Sequence, residues 1–96
     1  MKLIVTVHEV NGNCPVYKKG DRIVIQDGYR IDTAASCDYI CMHALASLLP
    51  HYNALRFKEG KDFGLSQEPG EAFVQCLDPY KHTGGGTVVF KITRED

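Results

Sequence analysis

The sequence predicts one α+β domain, with a small four-stranded mixed or antiparallel sheet in β-β-α-α-β-β order and a helical hairpin or kinked helix packed on it. Two segments near each end of the chain have apolar residues at every second position, which is the period-2 pattern of strands. The middle of the chain instead has apolar residues at helical spacing, interrupted by a proline. A length of 96 residues fits a single domain over residues 1–96.

Each predicted strand is bounded by turn residues. The first covers residues 3–7, where leucine and valine alternate with other side chains, and the second covers residues 22–26 before the turn dipeptide Asp27-Gly28. The third is predicted at residues 72–78 and the fourth at residues 87–93. In all four, one face is apolar and is expected to face the core.

The helical region is predicted to begin at Ser36, whose hydroxyl can accept a hydrogen bond from an unpaired amide of the first turn. Pro50 then either kinks this helix or opens a second one, which we expect to end at Gly60. The apolar stripe that supports the first helix consists of Cys41, Ala44, Leu45, Leu48 and Leu49.

Composition and hydropathy limit which cellular location and which classes of partner we expect. The chain has 11 basic and 12 acidic residues with no basic patch, so we expect no nucleic-acid partner. It has neither the pattern of a signal peptide nor an apolar stretch of membrane-spanning length, so we expect no membrane partner and a cytoplasmic location. In a reducing compartment, cysteines are more often free, metal-bound or redox-active than paired in disulfides.

The four cysteines come from three separate predicted elements. Cys37 and Cys41 are one helical turn apart and would share a face, and Cys76 would point inward from the third strand. Cys14 would project from a Gly-Asn-Cys-Pro loop. These sulfurs could meet at one point and ligate zinc or an iron–sulfur cluster. Because buried free cysteine often acts as a small apolar residue, plain core packing stays open as an alternative.

His43 follows Cys41 by two positions, which resembles a pair of metal ligands. On an ideal helix about 200° would separate the two side chains. Both can therefore reach one site only if the helix begins near Cys41 or is distorted there. Otherwise His43 is a polar or partner-facing residue.

Several short motifs together extend over nearly the whole chain. Because of these motifs, the sequence resembles a family of small, mostly uncharacterised cysteine-containing proteins found chiefly in anaerobic bacteria and archaea. The resemblance implies that Cys14, Cys41 and Cys76, with His43, match recurring positions of that family, whereas Cys37 does not. It implies no activity. The motifs are Cys14-Pro15, Lys19-Gly20-Asp21, Asp27-Gly28-Tyr29, Cys-Met-His-Ala-Leu at 41–45, Val-Gln-Cys-Leu-Asp-Pro at 74–79 and Gly-Gly-Thr-Val-Val-Phe at 85–90.

The leading hypothesis is a metal-binding protein with Cys14, Cys41 and Cys76 as thiolate ligands of zinc or an iron–sulfur cluster, completed by His43 or Cys37. An oxygen-poor habitat, which the resemblance implies, favours the cluster.

Two other functions stay open. The first is an enzyme of thiol or sulfur chemistry, in which a helix dipole lowers the pKa of Cys37 or Cys41. The second is an interaction module with core cysteines, binding a protein partner or a second copy through exposed aromatic residues. The candidates for that surface are Tyr17, Tyr29, Tyr39 and Tyr80.

Overall fold

The computed structural model describes residues 1–96 and contains one five-stranded sheet that is antiparallel at every pairing. The spatial order of the strands is β3-β2-β1-β5-β4. The two long strands, β1 and β5, therefore form the centre, and the shortest strands form the edges. The strands are β1 Lys2–Gly12, β2 Arg22–Gln26, β3 Arg30–Ile31, β4 Ala72–Gln75 and β5 Gly86–Glu95.

Short helices occupy the connections after β3 and after β4. Helix α1 covers Met42–Leu48 and α2 covers Tyr52–Leu55, followed by a 3₁₀ helix at Gly60–Phe63. Helix α3, Tyr80–Thr83, lies between β4 and β5. No helix of the protein has the length and apolar character needed to span a membrane.

The predicted four-stranded sheet in β-β-α-α-β-β order is wrong. The additional strand β3 follows a tight turn in which Asp27 and Gly28 both have positive φ, at 59° and 79°. This geometry joins antiparallel strands, so β2 and β3 form a hairpin. The turn itself is readable from the sequence, but a strand of two residues is too short to show alternation.

The predicted start and end of the helical region are also wrong. Ser36 does not cap a helix, because its hydroxyl accepts the Val24 amide (2.9 Å) and donates to the Asp32 carbonyl (2.7 Å), which joins the loop to the sheet. Helix α1 begins only at Met42. Gly60 opens the 3₁₀ helix, and a Cβ there would lie 2.6 Å from the Cβ of Ala72, so glycine is required for close packing on β4.

The hydrophobic core lies between the helices and one face of the sheet. Phe90 is fully buried and is the largest of the fully buried core side chains, which also include Leu3, Val5 and Ile23. At His8 a β-bulge shifts the register between β1 and β5, so the alternation of β1 changes phase before its last residues. The remaining core side chains are Val7, Tyr17, Ile25, Ala44, Leu48, Leu55, Ala72, Cys76, Val88 and Ile92.

Candidate functional site

A cavity of about 180 Å³ brings together three of the four cysteines. Cys14 lies in the loop after β1, Cys41 directly precedes α1, and Cys76 directly follows β4, and all three line the cavity. His43 and Asp78 line the same cavity. The donor side chains predicted from three separate elements therefore share one space, which we call the thiol cavity.

The loop that carries Cys14 is held against the start of β5. The Asn13 amide donates to the carbonyl of Gly85 (2.8 Å), and a Cβ on Gly86 would overlap the backbone amide of Cys14. The absence of a side chain at Gly86 thus allows the two backbones to touch. Cys14 is half-buried, and its sulfur accepts the Tyr17 amide at 3.3 Å. Its thiol is therefore anchored, whereas the sequence predicted a freely projecting one.

Cys76 is the buried thiol of the cavity, with 7% of the residue exposed. The predicted third strand ends earlier than expected, at Gln75, but the Cys76 amide still donates to the Val88 carbonyl (2.9 Å). Its sulfur accepts the Val88 amide at 3.3 Å and lies 3.7 Å from the Gly86 carbonyl, to which the thiol donates. Both hydrogen-bonding roles of this thiol are thus filled by the backbone of β5.

Tyr17 connects the Cys14 loop with the start of α1. Its ring packs edge-on against Phe90, with 5.7 Å between ring centroids, and its hydroxyl accepts the Cys41 amide at 2.8 Å. Burial and the neighbouring thiol groups of Cys37, Cys41 and Cys14 raise the pKa of Tyr17 above its usual 10.0, although the bond from the Cys41 amide lowers it. This phenol is therefore protonated at neutral pH and lies beside three thiols.

Cys41 and His43 can share a site because the helix begins near Cys41, which was the condition given by the sequence analysis. Cys41 has extended backbone angles (φ −76°, ψ 134°) and directly precedes α1, so the two residues are not separated by an ideal helical rotation. Both line the thiol cavity, and His43 is exposed at its rim.

Cys37 lies outside the thiol cavity. It lines a neighbouring open depression with Cys14, Asp21 and Tyr39, and its thiol donates to the Tyr39 carbonyl at 3.4 Å. Burial, followed by the nearby carboxylate of Asp21, raises the pKa of Cys37 above its usual 9.0. The expectation of a Cys37 thiol activated by a helix dipole is therefore wrong, because Cys37 precedes the helix and its pKa is shifted upward. A helix face shared by Cys37 and Cys41 is excluded for the same structural reason.

The thiol cavity supplies the donor types of a thiolate metal site without a preassembled coordination shell. All four cysteines are free thiols, and no three histidine, cysteine, aspartate or glutamate side chains are grouped closely enough to hold one metal ion. Cys14 and Cys41 are half-buried and His43 is exposed, so side-chain rotation could bring these three toward Cys76. The chemistry of the donor set thus fits a metal, and binding would require the side chains to turn.

Two residues of the site were not identified from the sequence. Tyr17 was expected to be exposed, but only 5% of it is accessible, because its ring fills the core beside Phe90. Asp78 was predicted only as the last residue of the third strand. Its carboxylate accepts the Thr83 hydroxyl, and its carbonyl accepts the Thr87 hydroxyl. No periodicity marks either residue, although the spacing Cys14-x-x-Tyr17 links the tyrosine to the cysteine loop.

Comparison with protein-family models, with curated proteins and with solved structures finds no match to this chain. The family resemblance described above stays a prediction.

Proposed function

We propose that this protein binds a metal through the thiolates of Cys14, Cys41 and Cys76, with His43 as the fourth ligand. The observation that carries this proposal is that these four side chains, from three different elements, line one cavity. Thiolates and imidazole together are a donor set that suits zinc and other borderline-soft metals.

Hydrogen bonds to sulfur support a thiolate role. Backbone amides donate to Cys14 and Cys76, and a thiolate accepts such bonds more strongly than a neutral thiol. Similar bonds to the sulfurs tune metal and cluster sites in general. Loss of the Cys76 proton would end its bond to the Gly86 carbonyl while keeping the bond from the Val88 amide.

The four proposed ligands correspond to a Cys₃His zinc site. An iron–sulfur cluster is the alternative occupant, since three thiolates with an open or weak fourth position also occur at clusters. Either occupant requires a compartment in which the thiols stay reduced, in agreement with the cytoplasmic location expected from the sequence.

Metal content and absorption together test the proposal. The full chain is purified anaerobically, its zinc and iron are measured per chain, and its visible spectrum is recorded. Zinc without colour supports the Cys₃His site, and iron with a charge-transfer spectrum supports a cluster. For metal-free protein, titration with Co²⁺ should produce the strong absorption of thiolate-bound cobalt at one equivalent.

Cys37→Ala is the matched control, because Cys37 is a half-buried thiol outside the thiol cavity. Cys14→Ala and Cys41→Ala should weaken Co²⁺ and Zn²⁺ binding by at least tenfold, while Cys37→Ala should leave it unchanged. The proposal is refuted if the anaerobic protein carries no metal and gives no cobalt spectrum. It is equally refuted if Cys37→Ala has the same effect as the cavity variants.

A reactive thiol at Cys14 is the second candidate function. Cys14 is half-buried, faces both the thiol cavity and the neighbouring depression, and accepts a hydrogen bond from the Tyr17 amide. Alkylation by iodoacetamide, measured against pH on metal-free protein, should then modify Cys14 before Cys37. Equal rates for all four thiols, or reaction only after denaturation, would exclude this role.

A further inference from the structure

The edge strand β3 is the open edge of the sheet. It pairs only with β2, through Ile25↔Ile31 and Gln26↔Arg30. At the opposite edge, the Phe73 amide of β4 donates to the Leu65 carbonyl at 2.8 Å, so a loop covers part of that strand. An uncovered strand edge is a template for pairing with another chain.

The free hydrogen-bonding groups of β3 belong to Ile31. In an antiparallel pair, successive residues direct their backbone groups alternately toward and away from the neighbouring strand. The Asp32 amide donates to the Val24 carbonyl (2.8 Å), and therefore the amide and carbonyl of Ile31 point to the open side. One outward amide and one outward carbonyl on the same residue match a symmetric antiparallel pair in which two copies of Ile31 exchange both bonds.

Charges beside Ile31 are complementary in that same register. An antiparallel pair centred on Ile31 brings Arg30 of one copy opposite Asp32 of the other, and the twofold symmetry repeats the contact. These would be non-hydrogen-bonded positions, where opposing side chains approach most closely. Arg30 is exposed, and its nearest carboxylate at present is that of Asp27 in the preceding turn, at 3.0 Å.

An apolar groove adjoins β3 on the helix side of the sheet. Ile31 shares a face with its paired residue Ile25 and lines this groove of about 120 Å³, whose nine lining residues are all apolar. Three of them are unusually exposed: Tyr29 at 60%, Leu49 at 56% and Ile31 at 37%. Pairing at Ile31 would bring the corresponding groove of a second copy alongside and cover these side chains.

We propose that this surface binds a second copy of the same chain, in a symmetric homodimer that joins two β3 strands into one continuous sheet. The outward backbone groups, the Arg30–Asp32 complementarity and the apolar groove all fit the same register. The dimer does not depend on metal at the thiol cavity, because none of the cavity cysteines lines the groove.

Sedimentation velocity over a concentration series tests the dimer. The wild-type full chain should shift from monomer to dimer as its concentration rises, and high salt should weaken the dimer. Each of the substitutions Arg30→Glu and Asp32→Lys gives residues 30 and 32 the same charge, so like charges face one another at both symmetry-related contacts of the dimer. Each should lower the association constant roughly tenfold or more. The control Lys19→Glu reverses an exposed charge in a turn away from β3 and should leave association unchanged.

Mixing the two variants gives the decisive result. In a mixed dimer, the glutamate introduced in one chain faces the lysine introduced in the other, and the second contact keeps the native pair of Arg30 and Asp32. The mixture should therefore associate more tightly than either variant does alone. Ile31→Pro removes the outward amide without affecting a bond to β2 and should also give a monomer, with circular dichroism confirming that it is folded.

Three results would overturn the proposal. The first is a wild type that stays monomeric at every concentration. The second is a dimer unaffected by the charge reversals, and the third is a pair of folded charge-reversal variants that fail to associate when mixed.

Discussion

Replacing Tyr17 by phenylalanine isolates one hydrogen bond at the centre of the candidate site. The ring would keep its edge-on contact with Phe90, because the two side chains differ only in the hydroxyl group. The Cys41 amide, which lies 2.8 Å from that hydroxyl, would lose its acceptor. Because Cys41 directly precedes α1, the change acts on the residue that positions the helix relative to the Cys14 loop.

The expected loss is about 1–2 kcal/mol in the free energy of unfolding. A typical intramolecular hydrogen bond contributes about 0.5–1.5 kcal/mol, whereas a buried amide left without an acceptor costs about 1–3 kcal/mol. Cys41 is half-buried, which places the effect between these ranges. For a domain of this size the melting temperature should fall by about 4–8 °C per kcal/mol.

Urea denaturation followed by far-ultraviolet circular dichroism measures this loss under reducing conditions, with a chelator present so that metal does not contribute. The matched control is Tyr39→Phe, because Tyr39 is 72% exposed and its hydroxyl makes no hydrogen bond in the structure. That substitution should change the free energy of unfolding by less than about 0.5 kcal/mol. If Tyr17→Phe is no more destabilising than Tyr39→Phe, the Tyr17–Cys41 bond does not hold the site together.

Two further predictions concern pH and backbone contact. Because burial and Asp21 raise the pKa of folded Cys37 above 9.0, the folded state holds this proton more tightly than the unfolded state. The Cys37 thiol therefore contributes its full share to the free energy of unfolding below pH 9, and this share is lost as pH rises through the folded pKa. Urea titrations at pH 8 and pH 10 should show a smaller fall in the free energy of unfolding for Cys37→Ala than for wild type. Gly86→Ala would drive a Cβ into the backbone of Cys14 and should cost about 1–3 kcal/mol by the same urea assay; an unchanged midpoint would contradict this contact.

The elements that could be predicted from the sequence are those with enough residues to show a period. Strand β2 was predicted at its observed bounds, Arg22–Gln26, because it is closed on both sides by turn residues. The additional strand β3 depends on a hairpin geometry rather than on a pattern of its own. Ser36 has the residue type of a helix cap, and it serves the sheet instead because Val24 and Asp32 lie within reach of its hydroxyl.

In the candidate site, too, only residues that belong to a periodic pattern could be predicted from the sequence. Inward positions on or directly beside a strand, such as Cys76 next to β4, could be predicted from alternation. The separation of Cys37 from the thiol cavity could not, because it depends on a helix that begins at Met42 rather than at Ser36. Tyr17 was placed on the surface because nothing in a loop sequence shows that an aromatic ring turns inward to meet Phe90.

The separation of the three thiols along the chain bears on what a metal would do here. Cys14, Cys41 and Cys76 come from segments that are far apart in sequence and meet only in the folded state. A metal that binds all three would therefore favour the folded chain over the unfolded one by an amount that grows with its concentration relative to the dissociation constant. Hydrogen bonds already connect these segments without a metal. The Tyr17 hydroxyl joins the Cys14 loop to Cys41, and the start of β5 is bonded to Asn13 beside Cys14 and to Cys76. The fold thus has its own means of holding the cavity closed, which implies that a metal bound there would add to an existing structure rather than nucleate it.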